Sequence, residues 1–138
     1  MPAEQRHFEG GLDQMGDARD WLEQRLHAEA VGSAERDAVL LAFTEAYTNV
    51  LRHAYRGLLP APLDIELCIS STEVVIVLRD EGEHFQPQST AAPDPEDLAE
   101  GGYGLFLIEA LMDEVSYTPG GDVGTVLRLR KQRARLCA

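Results

Sequence analysis

Three short segments hold polar or glycine residues where a plain core needs none. In Glu45-Ala46-Tyr47-Thr48-Asn49-Val50-Leu51-Arg52-His53-Ala54, the residues Glu45, Asn49 and His53 stand at i, i+4 and i+8 and line one helical row. At about 100° per residue, Glu45 and Asn49 lie roughly 100–140° from the centre of the neighbouring apolar stripe, at the flank of a buried face. A carboxylate one turn before a carboxamide suits a site needing a proton acceptor and a neutral oxygen for a hard cation. Mg²⁺ is usually held by few protein oxygens together with phosphates and waters. The plain alternative is an exposed helix edge with i,i+4 polar pairs.

The second segment, Asp80-Glu81-Gly82-Glu83-His84-Phe85, follows an apolar strand. A carboxylate at a strand end can accept from an amino group such as that of adenine, and a glycine beside it lets backbone approach a ligand closely. A simple Asp-x-Gly turn has the same residues. The third is Gly101-Gly102-Tyr103-Gly104-Leu105-Phe106-Leu107-Ile108. Glycines before an amphipathic helix leave N–H groups free at its positive end, a ready phosphate site; a hinge or a packing glycine set is the alternative. No Gly-Lys-Ser/Thr follows, Lys131 being the one lysine, so this is not a Walker A loop. No enclosing βαβ unit is legible, which argues against a dinucleotide fingerprint.

The elements that position these segments follow from periodicity. Gln5–Glu9 reads as an edge strand, and Asp13–Ala30 as a first helix with Met15, Trp21, Leu22 and Leu26 near helical spacing. A second helix runs from Ala34, after a Ser33 N-cap, to about Tyr55 before Gly57, with the stripe Val39, Phe43, Ala46, Val50. Leu63–Ile69 alternates as a half-buried strand, and Val74–Leu78 is a β-branched run expected to be buried on both faces, joined to it in an antiparallel hairpin. A long, proline-bearing, acidic stretch then precedes a helix over Tyr103–Met112 and two strands, Glu114–Thr118 and Gly124–Leu129. A loop of that length inside a domain points to function. The order predicts an α+β two-layer sandwich, a mixed, mostly antiparallel sheet with helices on one face, as a single domain over 1–138.

The chain has 12 basic and 24 acidic residues among 138, a net charge of −12. Such a surface repels phosphate backbones and anionic lipid, which argues against nucleic acid or a bare membrane as partner. Arg128, Arg130, Lys131, Arg133 and Arg135 crowd the C-terminus and read as a solvated strand end or a contact for an acidic partner. Cys68 and Cys137 suggest neither a disulfide framework nor a metal site. Without an apolar leader or a span-length apolar run, the expected location is the cytoplasm. The four histidines are scattered without ligand spacing, which argues against a metal hydrolase.

Taken together, Glu-x-x-x-Asn-x-x-x-His-Ala, Asp-x-Gly, Gly-x-Gly-Leu-x-Leu-Ile and Gly124-Thr125-Val126-Leu127 resemble the Bergerat-fold ATP-binding domain of the GHKL superfamily, shared by gyrase B, histidine kinases and MutL. Within it the chain looks most like the RsbW-type serine/threonine kinases that act as anti-sigma factors, from about Ala34 to Lys131. The resemblance implies a histidine-kinase-like ATPase fold using ATP and Mg²⁺. It makes Asn49 the Mg²⁺ ligand and Glu45 the general base. Asp80 would bind the adenine amino group, Gly82 would give the base room, and Thr125 would support the adenine water network. Gly102 and Gly104, with Leu105 beside them, would meet the nucleotide, and about 86–102 would be the ATP lid. Implied partners are a STAS-type antagonist phosphorylated on serine, a sigma factor, and a second copy through the first helix, whose Trp21, Leu22 and Leu26 serve equally as the domain's own core. A fragment of a histidine kinase would need a helical hairpin with a phospho-acceptor histidine, which is not seen.

Two departures bear on catalysis. Glu83 stands where many superfamily members have a second glycine, and the lid carries no basic residue to reach a γ-phosphate. Arg52 and Arg56, or a partner chain, are the candidates for that cation. The competing reading is therefore a non-catalytic ATP-binding module that sequesters a regulatory partner.

Overall fold

The computed structural model describes residues 3–83 and 103–134. In chain order come β1 (Glu4–Phe8), α1 (Leu12–Ala28), α2 (Ser33–Asn49), a π-helical turn (Val50–Ala54), β2 (Leu63–Ile69), β3 (Glu73–Asp80), α3 (Tyr103–Leu111), β4 (Glu114–Pro119) and β5 (Thr125–Gln132). The strands form one sheet in the order β1-β2-β3-β5-β4. Every neighbouring pair is antiparallel, so the mostly antiparallel sheet contains no parallel pair among the described residues.

Alternation decides which face is covered. Leu63, Ile65, Leu67 and Ile69 of β2, Val74, Ile76 and Leu78 of β3, and Leu127 and Leu129 of β5 are buried in one cluster with Val39, Phe43 and Ala46 of α2. Val75 and Val77 point the other way and are only half-buried, so β3 is central but covered by helices on one face alone. Ion pairs such as Arg79–Glu66, at 3.6 Å, flank that open face, the usual arrangement of an antiparallel sheet with one wet side. Cys68 is half-buried on its strand.

Trp21, Leu22 and Leu26 lie in the chain's own core, with Trp21 against Phe8 at 6.5 Å between ring centres. The cap of α2 is Gly32, not Ser33, and it makes no side-chain cap bond. The second helix also does not run on to Tyr55 as a regular helix. After Asn49 it widens into the π turn, where the Tyr55 N–H donates to Val50 O at 3.2 Å, five residues back.

Arg128, Arg130, Lys131 and Arg133 are engaged with the rest of the chain and not left as a bare solvated strand end; Arg135 lies outside the described residues. Arg128 and Arg130 pair with Glu114, and Lys131 donates to Leu111 O at 2.9 Å. Arg133 donates to Ser70 O, Glu29 O and Ala30 O at 2.7, 3.0 and 3.0 Å, tying β5 to the β2–β3 turn and the α1–α2 link. Among the described residues no helix is long and apolar enough to cross a membrane.

Candidate nucleotide and phosphotransfer site

Asn49 is the last residue of α2, and Glu45 sits one turn before it. The α2 stripe at Val39, Phe43, Ala46 and Val50 buries the helix against the sheet. That rotation turns Glu45 and Asn49 toward α3, whose first turn contains Gly104. A Cβ on Gly104 would lie 3.0 Å from Glu45 Oε2 and 3.3 and 3.4 Å from Asn49 Oδ1 and Nδ2. The absence of a side chain there lets the α3 backbone come down on both polar groups. Asn49 is 8% exposed, and its Nδ2 has no hydrogen-bond partner among the described residues. A buried amide donor normally has an acceptor, so this pair is built for a group that brings one. A phosphate oxygen is such an acceptor, and the neighbouring amide oxygen is the hard ligand that Mg²⁺ prefers. The residues present therefore fit a Mg²⁺-bound triphosphate.

Asp80 ends β3 and Thr125 begins β5; they are 8% and 4% exposed. Both line a narrow cleft with Asn49, His53 and Tyr117, its apolar walls including Val50, Ala54 and Leu127. About 20 Å³ of it is open, the space of roughly one water. Burial, and secondarily Glu109, raises the Tyr117 hydroxyl above the ordinary phenol range, so it faces the cleft as a neutral group. Burial, with a smaller effect from Arg52, lowers the His53 pKa and so favours its neutral form.

The Asp80–Glu83 turn is packed onto the π turn. A Cβ on Gly82 would meet Ala54 O at 2.3 Å, which no side chain tolerates. The Glu83 N–H donates to the same carbonyl at 3.0 Å, and the Gly124 N–H donates to Gly82 O at 2.8 Å. The Gly82 N–H in turn donates to Asp80 Oδ1 at 3.0 Å.

The expected residues Glu45, Asn49, Asp80, Gly82, Gly104 and Thr125 thus fall into two adjoining groups joined through Asn49. Leu105 is half-buried in the first turn of α3. Gly102 and the expected lid at about 86–102 lie outside the described residues. Arg52 and Arg56 are not at this cleft. They line a separate groove with Leu12, Leu58 and Leu59, and Arg56 pairs with Glu83 at 2.9 Å. Sequence reasoning missed Tyr117, whose inward-facing place on β4 follows from alternation, and Tyr55, whose hydroxyl contacts no periodicity reveals.

Residues 8–131 match the family of histidine kinase-like ATPase domains. The serine-protein kinase RsbW of Oceanobacillus iheyensis is 41% identical over 83 residues, covering 54% of this chain and 52% of that protein. RsbW of Staphylococcus epidermidis is 37% identical over 107 residues, covering 69% and 67%. The chain thus aligns with about half to two thirds of the length of these curated relatives. In fold it resembles the structure of the RsbU and RsbW domains of a Mycobacterium tuberculosis protein, with TM-score 0.72 at 16% identity, over 99% of this chain and 34% of that one. The relatives named here are serine-protein kinases, and the chain itself belongs to the histidine kinase-like ATPase domain family.

Proposed function

We propose that this protein is an ATP-dependent serine/threonine kinase and anti-sigma-factor switch. It would hold a sigma factor and phosphorylate a STAS-type antagonist protein on serine. The observation that carries the reading is the meeting of Glu45 and Asn49 at the bare Cα of Gly104, in a chain whose relatives are serine-protein kinases.

In this reading the serine oxygen bonds to the γ-phosphorus as the bond from that phosphorus to the bridging oxygen of ADP breaks. Glu45 Oε2 takes the hydroxyl proton, and ADP leaves with the electron pair. Bound Mg²⁺ would neutralise phosphate charge, with Asn49 as its protein ligand. Asp80 and Thr125 hold the base end, Gly82 lets the turn after Asp80 pack directly on the Ala54 carbonyl, and the backbone at Gly104 meets the phosphates. Phosphoryl transfer depends mostly on positioning and charge neutralisation, so so small a set suffices.

A second reading has its own observation. Arg52 and Arg56 line another groove, away from the cleft that holds Asn49 and Asp80. A sequestering module that binds ATP without transferring phosphate needs no such cation. Immobilised protein exposed to native lysate with Mg-ATP or Mg-ADP separates the two. A small STAS-like protein carrying a new phosphoserine only after Mg-ATP supports the kinase. A partner retained according to nucleotide but never phosphorylated supports the sequestering module.

A further inference from the structure

The hydroxyl of Tyr55 makes two hydrogen bonds at the end of the β2–β3 ladder. It donates to Pro62 O at 2.5 Å and accepts from the Glu81 N–H at 2.7 Å. Pro62 precedes Leu63 and Glu81 follows Asp80, and Leu63 and Asp80 are the last paired residues at that end of the β2–β3 ladder. One phenol oxygen therefore closes the ladder where backbone pairing stops. The preceding residue, Ala54, holds the far side of the same turn through its carbonyl and the Glu83 N–H at 3.0 Å. Two consecutive residues at the end of the π turn thus hold the turn after Asp80 from one side, and the Gly124 N–H on Gly82 O at 2.8 Å holds it from the other.

The π turn is what makes this possible. The residue it adds to the helical turn rotates Ala54 and Tyr55 relative to a continuous α2, and π insertions of this kind recur at functional sites. Burial keeps the Tyr55 hydroxyl protonated above its ordinary range, so it can serve as donor and acceptor together.

Resting on the nucleotide site proposed above, we infer that Tyr55 is a positioning residue for adenine recognition: its hydroxyl fixes the Glu81 amide and so sets the Asp80 carboxylate at the base. The strand itself does not depend on this hydroxyl, because the ladder and the buried Leu63 and Leu78 hold it. What the hydroxyl fixes is the turn beyond. Loss of the bond should therefore appear in base selectivity rather than in the fold.

The test is titration of wild type, Tyr55→Phe and Asp80→Asn with mant-ATP and mant-GTP in the presence of Mg²⁺. Tyr55→Phe is expected to weaken mant-ATP by about fivefold, as for one lost hydrogen bond, with mant-GTP little changed, so the ATP preference falls. Asp80→Asn is expected to abolish that preference. If Asp80→Asn abolishes the preference and Tyr55→Phe leaves it intact, the role of Tyr55 is overturned while the site stands. If Asp80→Asn itself changes nothing, the adenine reading of Asp80 fails and this inference with it. Should Tyr55→Phe not fold, amide exchange in the wild type decides: the Glu81 amide must exchange well below the free-peptide rate, and exchange at that rate overturns the proposal.

Discussion

Gly104 stands against Glu45 so closely that a Cβ on it would lie 3.0 Å from Oε2. With contacts at 3.3 and 3.4 Å to the Asn49 amide as well, that Cβ is accommodated when both polar side chains give way by a few tenths of an ångström. Alanine is a better helix former than glycine by up to about 1 kcal/mol. Gly104→Ala should therefore leave the melting temperature unchanged or raised. Phosphotransfer should fall about tenfold or more, because Glu45 and Asn49 are displaced. Thermal denaturation beside a phosphotransfer assay reads both, and a variant that is destabilised yet fully active would contradict the placement of α3 over the pair.

Arg133 concerns stability alone. Its guanidinium serves three carbonyls, Ser70 O, Glu29 O and Ala30 O, on two different links. Hydrogen bonds from a charged donor are the stronger kind, so Arg133→Ala should cost about 2 kcal/mol. That corresponds to a melting temperature lower by roughly 5–10 °C for a chain of this size. The nucleotide affinity of the folded variant should not change.

His7 gives a pH dependence with a definite sign. Its Nδ1 is 2.5 Å from Asp64 Oδ1 and its Nε2 is 3.0 Å from Glu9 Oε1. The hydrogen bond to Asp64, then that to Glu9, raises its pKa above 6.5. A group whose folded pKa is raised adds stability that is complete below its unfolded pKa and is lost as pH rises through the folded value. The loss therefore falls between pH 6.5 and the raised folded value. The pair is exposed, so the effect is below about 1 kcal/mol and shrinks with salt. His7→Gln should flatten the stability profile in that window, as measured by denaturant midpoints at low salt.

Much of the fold and site was legible in particular residues. The alternation of Leu63, Ile65, Leu67 and Ile69 marked β2 with its observed limits. The stripe on α2 placed Glu45 and Asn49 beside, rather than opposite, the buried face. β3 and β5 run further than expected, to Asp80 and Gln132, because Arg79, Arg130 and Lys131 continue the ladder. Charged side chains hide a strand from any apolar pattern, Arg79 and Arg130 on the wet face and Lys131 on the helix side, where it reaches Leu111 O. The placing of β5 between β3 and β4 is a long-range pairing that local periodicity does not encode. The π turn escaped for a related reason: an i to i+5 bond changes the helical period for one turn only, too short to alter the apolar spacing. Tyr55 was missed with it.

The central claim is that Glu45 accepts the proton while other residues bind the nucleotide. Glu45→Gln keeps the shape and removes the acceptor, so it tests that division of labour directly. The quantities are mant-ATP affinity and phosphoserine formed on the protein partner captured with wild type, measured on the same preparation. The account predicts affinity within about twofold of wild type and phosphotransfer lower by 100-fold or more, at the scale of a lost general base. Unchanged phosphotransfer in Glu45→Gln would contradict it.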